Sequence, residues 1–182
     1  MISLIPLKTK NIPARFQHSA YLDVSKELRD KFEQMRKIRK GLYIWGGVGT
    51  GKTHLIYALS QINIDDWKGL EVMIFNTTDM LRQIKSQFDQ PAGNYYDDLF
   101  AQILQFKGLL ILDDLGSEKL TEWVQETFYL IINKRYEEML PMIFTSNFKI
   151  SDLAGRLGDR IVSRIVESCD IVELKGVDRR LS

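Results

Sequence analysis

The chain has 182 residues, of which 45% are hydrophobic and 27% are charged. This length allows one large domain with a proper core, and the composition excludes a disordered tail or a fibrous repeat. Lysine and arginine total 25 against 24 acidic residues. The overall charge therefore favours no class of partner, and contact with nucleic acid would require a local basic patch.

The single cysteine, Cys169, predicts a reducing compartment, because it cannot form an internal disulfide and lacks the spacing of a metal site. We interpret it as a small buried apolar residue. The apolar start of the chain is interrupted by Pro6 and Lys8 and is too short for a signal peptide or a membrane span. We therefore expect a cytoplasmic protein with no membrane partner.

Residues 1–24 lack periodicity and contain two prolines, which predicts an extended lead-in on the domain surface. Ser25 is typical of an N-cap, and it precedes an amphipathic helix with an apolar stripe at Leu28, Phe32, Met35 and Ile38. We expect residues 1–40 to form an N-terminal extended segment with this helix. Residues 41–182 are expected to form the main domain.

From residue 41 onward, short apolar runs alternate with longer helical segments, which is typical of a parallel sheet covered by helices. Strands are predicted at 42–45, 71–75, 109–112, 142–145 and 171–174. Helices are predicted at 52–62, 78–88, 95–105, 122–139 and 159–167, with a loop at 89–94 and a short turn at 151–156. Since parallel strands require crossovers, the pattern predicts an α/β fold with a five-stranded parallel sheet and helices on both faces.

A glycine-rich segment between the first strand and the next helix matches the phosphate-binding pattern G-x-x-x-x-G-K-[ST] in full. It consists of Gly46, Gly47, Val48, Gly49, Thr50, Gly51, Lys52 and Thr53, and His54 follows it. Glycines allow consecutive N–H groups to surround phosphate oxygens, and the helix N-terminus adds partial positive charge. Lys52 is expected to contact the β- and γ-phosphates of ATP, and Thr53 to ligate Mg²⁺. The segment alone leaves kinases, GTPases and motor ATPases open.

The predicted strand 109–112 is followed by two carboxylates, Asp113 and Asp114, in the form of a Walker B segment. Asp113 is interpreted as the residue that holds magnesium through water. Asp114 is placed to orient or deprotonate the attacking water, because general-base catalysis requires a carboxylate within reach of it. The Asp114 side chain is shorter than that of glutamate, which leaves slow hydrolysis or a switch-like use of ATP open.

The predicted strand 142–145 is followed by polar residues. If this strand lies beside the strand that precedes the glycine-rich segment, the Asn147 amide points at the γ-phosphate. The alternative is an Asx turn after the strand. Arg160 and Arg164 lie four residues apart and therefore on one helix face. One of them could reach a neighbouring subunit and stabilise the transferring phosphoryl group. The alternative is two solvated or salt-bridged arginines.

Together these segments resemble the DnaC and DnaI type of replicative helicase loader, a group of AAA+ ATPases, over residues 12–180. The resemblance is carried by IPARF at 12–16, GKTHL at 51–55, LDDLG at 112–116, INKRY at 132–136, FTSN at 144–147, SR at 163–164 and DRR at 178–180. The transposition helper ATPase IstB is similar in the same places.

The resemblance implies a P-loop NTPase of the AAA+ type without a C-terminal lid domain, which hydrolyses ATP with magnesium and acts with a replicative DNA helicase. Hydrolysis is expected to be slow and stimulated by assembly. Arg164 is implied as an arginine finger with Arg160 in support, so self-association is expected. Residues 12–16 are implied to lie near the adenine, and Arg179 or Arg180 to act like a sensor 2 arginine.

The family's helix that faces single-stranded DNA corresponds to the region 78–105 of this chain. Charge and stacking surfaces of the kind that bind strands without sequence preference are present there at Arg82, Lys85, Tyr95 and Tyr96. Two neighbouring aspartates oppose that interpretation, so a solvated helix with core tyrosines is the favoured alternative.

Three other functions stay open on the sequence. They are an IstB-like ATPase that serves a transposase, a nucleotide-dependent binding module with little hydrolysis, and a P-loop small-molecule kinase. A kinase requires an acceptor pocket and an arginine-rich lid, which the sequence between 89 and 182 does not indicate. Helicase loaders of this type carry a separate N-terminal domain. We therefore expect either the ATPase module of a longer protein or a compact form that docks through residues 1–40.

Overall fold

The structure of the protein is a computed structural model that describes residues 13–19, 24–38, 40–60, 71–88 and 98–176. A short 3-10 helix at Ala14–Phe16 comes first. The helices are α1 (Lys26–Ile38), α2 (Lys52–Ser60), α3 (Thr77–Phe88), α4 (Leu99–Gln105), α5 (Glu122–Glu137), α6 (Ile150–Leu157) and α7 (Asp159–Ser168). The strands are β1 (Gly41–Trp45), β2 (Val72–Asn76), β3 (Leu109–Asp113), β4 (Met142–Ser146) and β5 (Cys169–Glu173). In these ranges, no helix has the length and apolar character needed to cross a membrane.

The five strands form one parallel sheet in the order β2-β3-β4-β1-β5. The predicted five-stranded parallel sheet is therefore confirmed. Strand β4 lies between β1 and β3, so the strand before Asn147 is the neighbour of the strand before the glycine-rich segment. Because all strands run in the same direction, the loops after β1, β3 and β4 meet at one edge of the sheet.

Helices cover both faces of the sheet, as predicted. Neighbouring residues of a strand point to opposite faces, and apolar side chains on both faces pack against helices. Leu42 and Ile44 of β1 pack in an apolar cluster with α1 and α2. Tyr43, which lies between them, packs in a second cluster with α3 to α7. Each face of the sheet therefore has its own apolar core, and the edge with the three loops is left for polar residues.

The first helix and the interpretation of Cys169 as a buried residue are confirmed, while the side chain of Ile38 lies outside the described part of the chain. The backbone N–H of Leu28 donates to Ser25 Oγ at 3.4 Å, which is a weak N-cap of α1. Leu28, Phe32 and Met35 are buried against the domain. Cys169 is only 2% exposed, and this burial raises the pKa of its thiol to about 12.

Several strand and helix ends differ from the prediction by one residue, and three elements differ by more. The segment 151–156 is not a short turn but the centre of α6, whose eight residues include Gly155 and bury Leu153 and Leu157. Its brevity and its internal glycine concealed the helical pattern. Strand β5 spans Cys169–Glu173, rather than 171–174, because it pairs with β1 along the whole length of that strand. Helix α5 ends before Met139, whose φ of 53° is left-handed and cannot continue a helix.

Other predicted elements extend beyond the residues that the structure describes. Helix α4 begins at Leu99, and Asp98 accepts a hydrogen bond from the N–H of Phe100 at 2.9 Å. The predicted positions 95–97, the loop at 89–94 and the end of the helix at 61–62 lie outside the described residues. After β5 the described chain continues through 174–176, and positions 177–182 lie outside it. The division of the chain at residue 40 stays a prediction.

Candidate active site

The loops after β1, β3 and β4 enclose a cavity of about 420 Å³ at the carboxyl edge of the sheet. The predicted site residues that line it are Val48, Gly49, Gly51, Lys52, Thr53, His54, Asp113, Asp114 and Asn147. Arg15, Phe16, Asn76 and Thr145 complete the lining. Gly46, Gly47, Thr50 and Arg164 are not among the lining residues.

The glycine-rich loop takes a conformation that only glycine tolerates at several positions. Gly49 and Gly51 have φ values of 78° and 95°, in the left-handed region where a Cβ atom is strained. A Cβ atom on Gly46 would lie 2.4 Å from the carbonyl oxygen of Leu174. The hydroxyl of Thr50 closes the loop by donating to the carbonyl of Gly47 at 2.9 Å. These contacts fix the backbone that precedes α2.

Lys52 lies at the start of α2 with its ammonium group inside the cavity. The Nζ atom donates to the carbonyl oxygens of Gly46 and Gly47, both at 2.8 Å, and to Asn147 Oδ1 at 2.7 Å. The residue is 8% exposed. A buried ammonium group at the start of a helix can form charge-assisted hydrogen bonds with phosphate oxygens that enter the cavity. The cavity is therefore suited to phosphate.

Asp113 ends β3 and is hydrogen-bonded on both carboxylate oxygens. Its Oδ2 accepts from Thr53 Oγ1 at 2.9 Å, and its Oδ1 accepts from Thr145 Oγ1. Burial raises the pKa of Asp113, and the hydrogen bonds from Thr145 and Thr53 act in the opposite direction. Magnesium in such sites takes one or two protein oxygens together with substrate phosphates, and the Thr53 hydroxyl and the Asp113 carboxylate fit that requirement.

Asp114 follows β3 and has a φ of 63°, which is left-handed and uncommon for a residue other than glycine. Its Oδ1 accepts a hydrogen bond from Asn147 Nδ2 at 2.8 Å. The orientation of the amide is consistent, because a lysine ammonium can only donate and an ionised carboxylate can only accept. The Asn147 side chain thus joins Lys52 to Asp114. This arrangement differs from the Asx turn that was the alternative for Asn147.

The segment 13–19 forms an outer wall of the cavity against α2. The rings of Phe16 and Tyr57 are stacked, with centroids 4.9 Å apart and an interplanar angle of 11°. Ser19 Oγ and His54 Nδ1 are 2.9 Å apart, so His54 contacts this segment as well as the cavity. Burial, with a contribution from the charge of Asp113, raises the pKa of Tyr57. The position of the adenine beside residues 12–16 stays a prediction.

Arg164 of α7 is held by its own chain. Its Nε donates to Asn133 Oδ1 at 2.5 Å and its Nη1 to the Arg160 carbonyl at 2.9 Å. The guanidinium carbons of Arg164 and Arg160 lie 5.1 Å and 4.4 Å from the centroid of the Tyr129 ring. The two arginines therefore share one aromatic residue of α5. A role for Arg164 toward a neighbouring subunit stays a prediction.

The other residues implied by the resemblance are only partly described. Arg82 of α3 forms an exposed ion pair with Asp79 at 2.9 Å, and Lys85 is exposed on the same helix. Tyr95, Tyr96, Arg179 and Arg180 lie outside the described residues. The predictions of a DNA surface and of a sensor 2 arginine are therefore not tested by the described part of the chain.

Two lining residues, Asn76 and Thr145, were not predicted as site residues. Asn76 ends β2, and its Oδ1 accepts from the N–H groups of Thr78 and Asp79 at 3.1 and 3.3 Å, which caps α3. Thr145 also accepts from the N–H of Asp114 at 2.9 Å. An Asn before a helix was a recognisable cap signal. Thr145 gave no signal, because its partners come from another strand.

A parallel sheet with the order β2-β3-β4-β1-β5, a P-loop after β1 and an acidic pair after β3 defines a P-loop NTPase of the AAA+ type. The family described as IstB-like ATP binding protein matches residues 17–182. The chain belongs to this family.

Individual relatives agree with this assignment. The replicative helicase loader DnaI of Bacillus subtilis (strain 168) is 28% identical, in an alignment that covers 78% of this chain and 48% of that protein. The chain thus spans about half the length of this relative. The crystal structure of the DnaC helicase loader matches with a TM-score of 0.76 and 28% identity, covering 90% of this chain and 100% of that one. The crystal structure of DnaI has a TM-score of 0.73 at 25% identity, covering 93% of this chain and 95% of that one.

Proposed function

We propose that the chain binds and hydrolyses ATP with magnesium and acts as a replicative helicase loader. One observation carries the ATPase part. Lys52, the Thr53 and Asp113 pair, and the Asp114 and Asn147 pair converge in one cavity. Phosphate binding, magnesium binding and activation of water require these three kinds of group together.

Each residue has a distinct role in this proposal. The glycine loop and Lys52 bind the phosphates, while Thr53 and Asp113 provide hard oxygen ligands for magnesium, which neutralises charge on the phosphates. Asp114 orients the attacking water and accepts its proton. Asn147 holds the Asp114 carboxylate and contacts the phosphate or the water.

The helicase part of the proposal is supported by the family relationship and by the relatives, because DnaI and DnaC are described as helicase loaders. We infer a replicative helicase as the partner, and self-association that brings Arg164 to the nucleotide of a neighbour. Single-stranded DNA is included as a further partner because Arg82 and Lys85 lie exposed on α3. We propose a cytoplasmic location because the relative DnaI is described as a replicative helicase loader.

The experiment measures phosphate release and helicase loading in parallel. Purified chain is mixed with the replicative helicase of its own organism and a closed single-stranded DNA circle, with ATP and either Mg²⁺ or EDTA. We expect helicase bound to the circle only with the chain and ATP, and phosphate release only with Mg²⁺. Lys52→Ala serves as the inactive variant, and Lys107→Ala, an exposed lysine before β3, serves as a control outside the cavity and outside α3.

The results separate the two parts of the proposal. Phosphate release without helicase binding would overturn the loader assignment and leave the ATPase assignment intact. Nucleotide binding without phosphate release would support a binding module with little hydrolysis.

An IstB-like helper of transposition is the second candidate, because the matching family is described as IstB-like ATP binding protein. The same chain is tested for ATP-dependent binding to a transposase encoded beside it. Binding to the transposase in place of the helicase would favour this second function.

A further inference from the structure

The turn after β3 holds the Asp114 backbone in a strained shape. Asp114 has a φ of 63°, and Gly116 two residues later has a φ of 92°. A left-handed conformation is costly for a residue with a Cβ atom, so surrounding contacts must maintain it. In this conformation the Asp114 carboxylate reaches Asn147.

Two buried polar residues outside the cavity lining maintain this turn. Thr77, the first residue of α3, is fully buried, and Glu118 is 6% exposed. The Thr77 hydroxyl lies 3.1 Å from both the Asp114 carbonyl oxygen and Glu118 Oε2. The N–H of Gly116 donates to both Glu118 oxygens at 3.1 Å. Thr77 and Glu118 thus bind the turn at two positions, the carbonyl of Asp114 and the N–H of Gly116.

The Thr77 hydroxyl has one hydrogen and can donate fully to only one of its two neighbours, the Asp114 carbonyl and Glu118. The Asp114 carbonyl also accepts from Ser117 Oγ at 2.7 Å and from the Ser117 N–H at 3.3 Å. Burial raises the pKa of Glu118, and the hydrogen bonds from Thr77 and Gly116 act in the opposite direction. Thr77 therefore links the Asp114 carbonyl to the Glu118 carboxyl group inside the protein, where buried polar groups are generally paired.

We propose that Thr77 and Glu118 are positioning residues that keep the Asp114 backbone left-handed and so direct its carboxylate to Asn147. The inference rests on the proposed role of Asp114 in hydrolysis. Neither residue is among those that line the cavity, so both act through Asp114 rather than on the nucleotide.

The kinetic test uses Thr77→Val, which removes the hydroxyl and keeps the shape of the side chain. We expect kcat to fall about tenfold, the size that corresponds to one lost buried hydrogen bond, while the Kd for ATP changes less than twofold. Thr77→Ser restores the hydroxyl and should restore kcat. Thr78→Val makes the same chemical change one residue further along α3 and should leave kcat unchanged.

The coupling to Asp114 is tested in a double-mutant cycle. Asp114→Asn alone slows the reaction, and adding Thr77→Val should cause no further loss, because the positioned carboxylate is already absent. Additive losses would overturn the inference. Glu118→Ala is expected to lower kcat as Thr77→Val does. If Glu118→Ala fails to fold, the Thr77 variants alone test the positioning role.

A second readout does not depend on hydrolysis. The side-chain amide signals of Asn147 in a ¹H–¹⁵N spectrum are assigned by their loss in Asn147→Ala. Thr77→Val should shift these signals, since the Asp114 acceptor moves, and Thr78→Val should not. If the wild type hydrolyses ATP and Thr77→Val shifts neither kcat nor these signals, the positioning role is wrong and the proposed function stands. If the wild type does not hydrolyse ATP, the proposed function fails and the amide signals alone decide the positioning role.

Discussion

Asn147 and Asp114 are joined by a hydrogen bond of 2.8 Å from Nδ2 to Oδ1, which links the end of β4 to the turn after β3. The oxygen of the same amide accepts from Lys52 Nζ at 2.7 Å. A single side chain thus connects the cation that we expect at the phosphates with the carboxylate that we expect at the water. Four predictions concern this site and its partner subunit, and a fifth concerns the fold.

Asn147→Ala should slow the chemical step more than it weakens binding. The variant frees the Asp114 carboxylate and removes a donor that faces the cavity, so we expect kcat to fall by about 10². The Kd for ATP should change less than about threefold, since Lys52 and the glycine loop remain. Single-turnover hydrolysis and calorimetric titration measure the two quantities. An equal loss in both would assign Asn147 to binding alone.

Lys52→Ala should weaken ATP binding about 10²-fold, because charge-assisted hydrogen bonds to the phosphates are lost while the glycine loop remains. Isothermal titration with ATP measures the change. Lys85→Ala is the matched control, since it removes the same charge from an exposed position on α3. Unchanged affinity in Lys52→Ala would remove the basis for the phosphate site.

Asp113 and Asp114 should be separable by their dependence on magnesium. Asp113→Ala is expected to abolish magnesium-dependent hydrolysis and the gain in affinity that magnesium gives. Asp114→Asn should keep nucleotide and magnesium bound and reduce only kcat. Titrations with ATP, with and without Mg²⁺, check both variants. The same loss of magnesium-dependent binding in each would contradict the separate roles.

Arg164→Ala should lower turnover by about 10³ with little change in ATP affinity, if this arginine completes the site of a neighbouring subunit. Mixing it with Lys52→Ala should partly restore activity, because an intact arginine on one chain can serve the intact nucleotide site of the other. Arg82→Ala is the control, as Arg82 is an exposed arginine paired on its own helix.

The mixing experiment requires folded variants, since Arg164 packs on Tyr129 and Tyr136. Thermal unfolding of Arg164→Ala is therefore measured beside its activity. A folded mixture that stays inactive, under conditions where the wild type assembles and hydrolyses ATP, would assign Arg164 to the support of α5 and α7.

Arg135→Ala should lower the free energy of unfolding by about 3 kcal/mol, because it removes a buried donor to three carbonyl groups. The Arg135 guanidinium is 1% exposed and donates to the carbonyls of Phe106, Gly108 and Pro141. Lys134→Ala, beside it on the surface, should lower the free energy of unfolding much less, because its ion pair with Glu138 is exposed. Urea denaturation compares the two. Equal losses would contradict a structural role for Arg135.

The sequence predicted those parts of the fold and of the site whose residues are close together along the chain. The glycine loop, Lys52 and Thr53 are consecutive, and Asp113 and Asn147 follow apolar runs that could only be strands. The helical crossovers required those strands to be parallel, which brought their ends to one edge. The sequence was therefore sufficient for the five parallel strands and for placing Lys52, Thr53, Asp113 and Asn147 at one edge of the sheet, but it did not predict the order of the strands.

What the sequence did not predict depends on contacts between distant segments. Thr145 contacts Asp113 and Asp114 only because β3 and β4 are neighbours, and Thr77 contacts Glu118 across 41 positions. The helix α6 was missed for a different reason, since its two buried leucines are too few to establish a period. The sequence therefore did not predict the contacts between paired strands or the short helix α6.

The burial of Cys169 has a practical consequence for spectroscopy. It is the single cysteine of the chain, and with a thiol pKa of about 12 it carries almost no thiolate at neutral pH. Maleimide reagents would therefore leave it unmodified in the folded protein. A cysteine introduced by Val48→Cys, at a position 60% exposed on the phosphate loop, could then carry a fluorophore without any change to the native thiol. Such a label would follow nucleotide arrival and departure in real time.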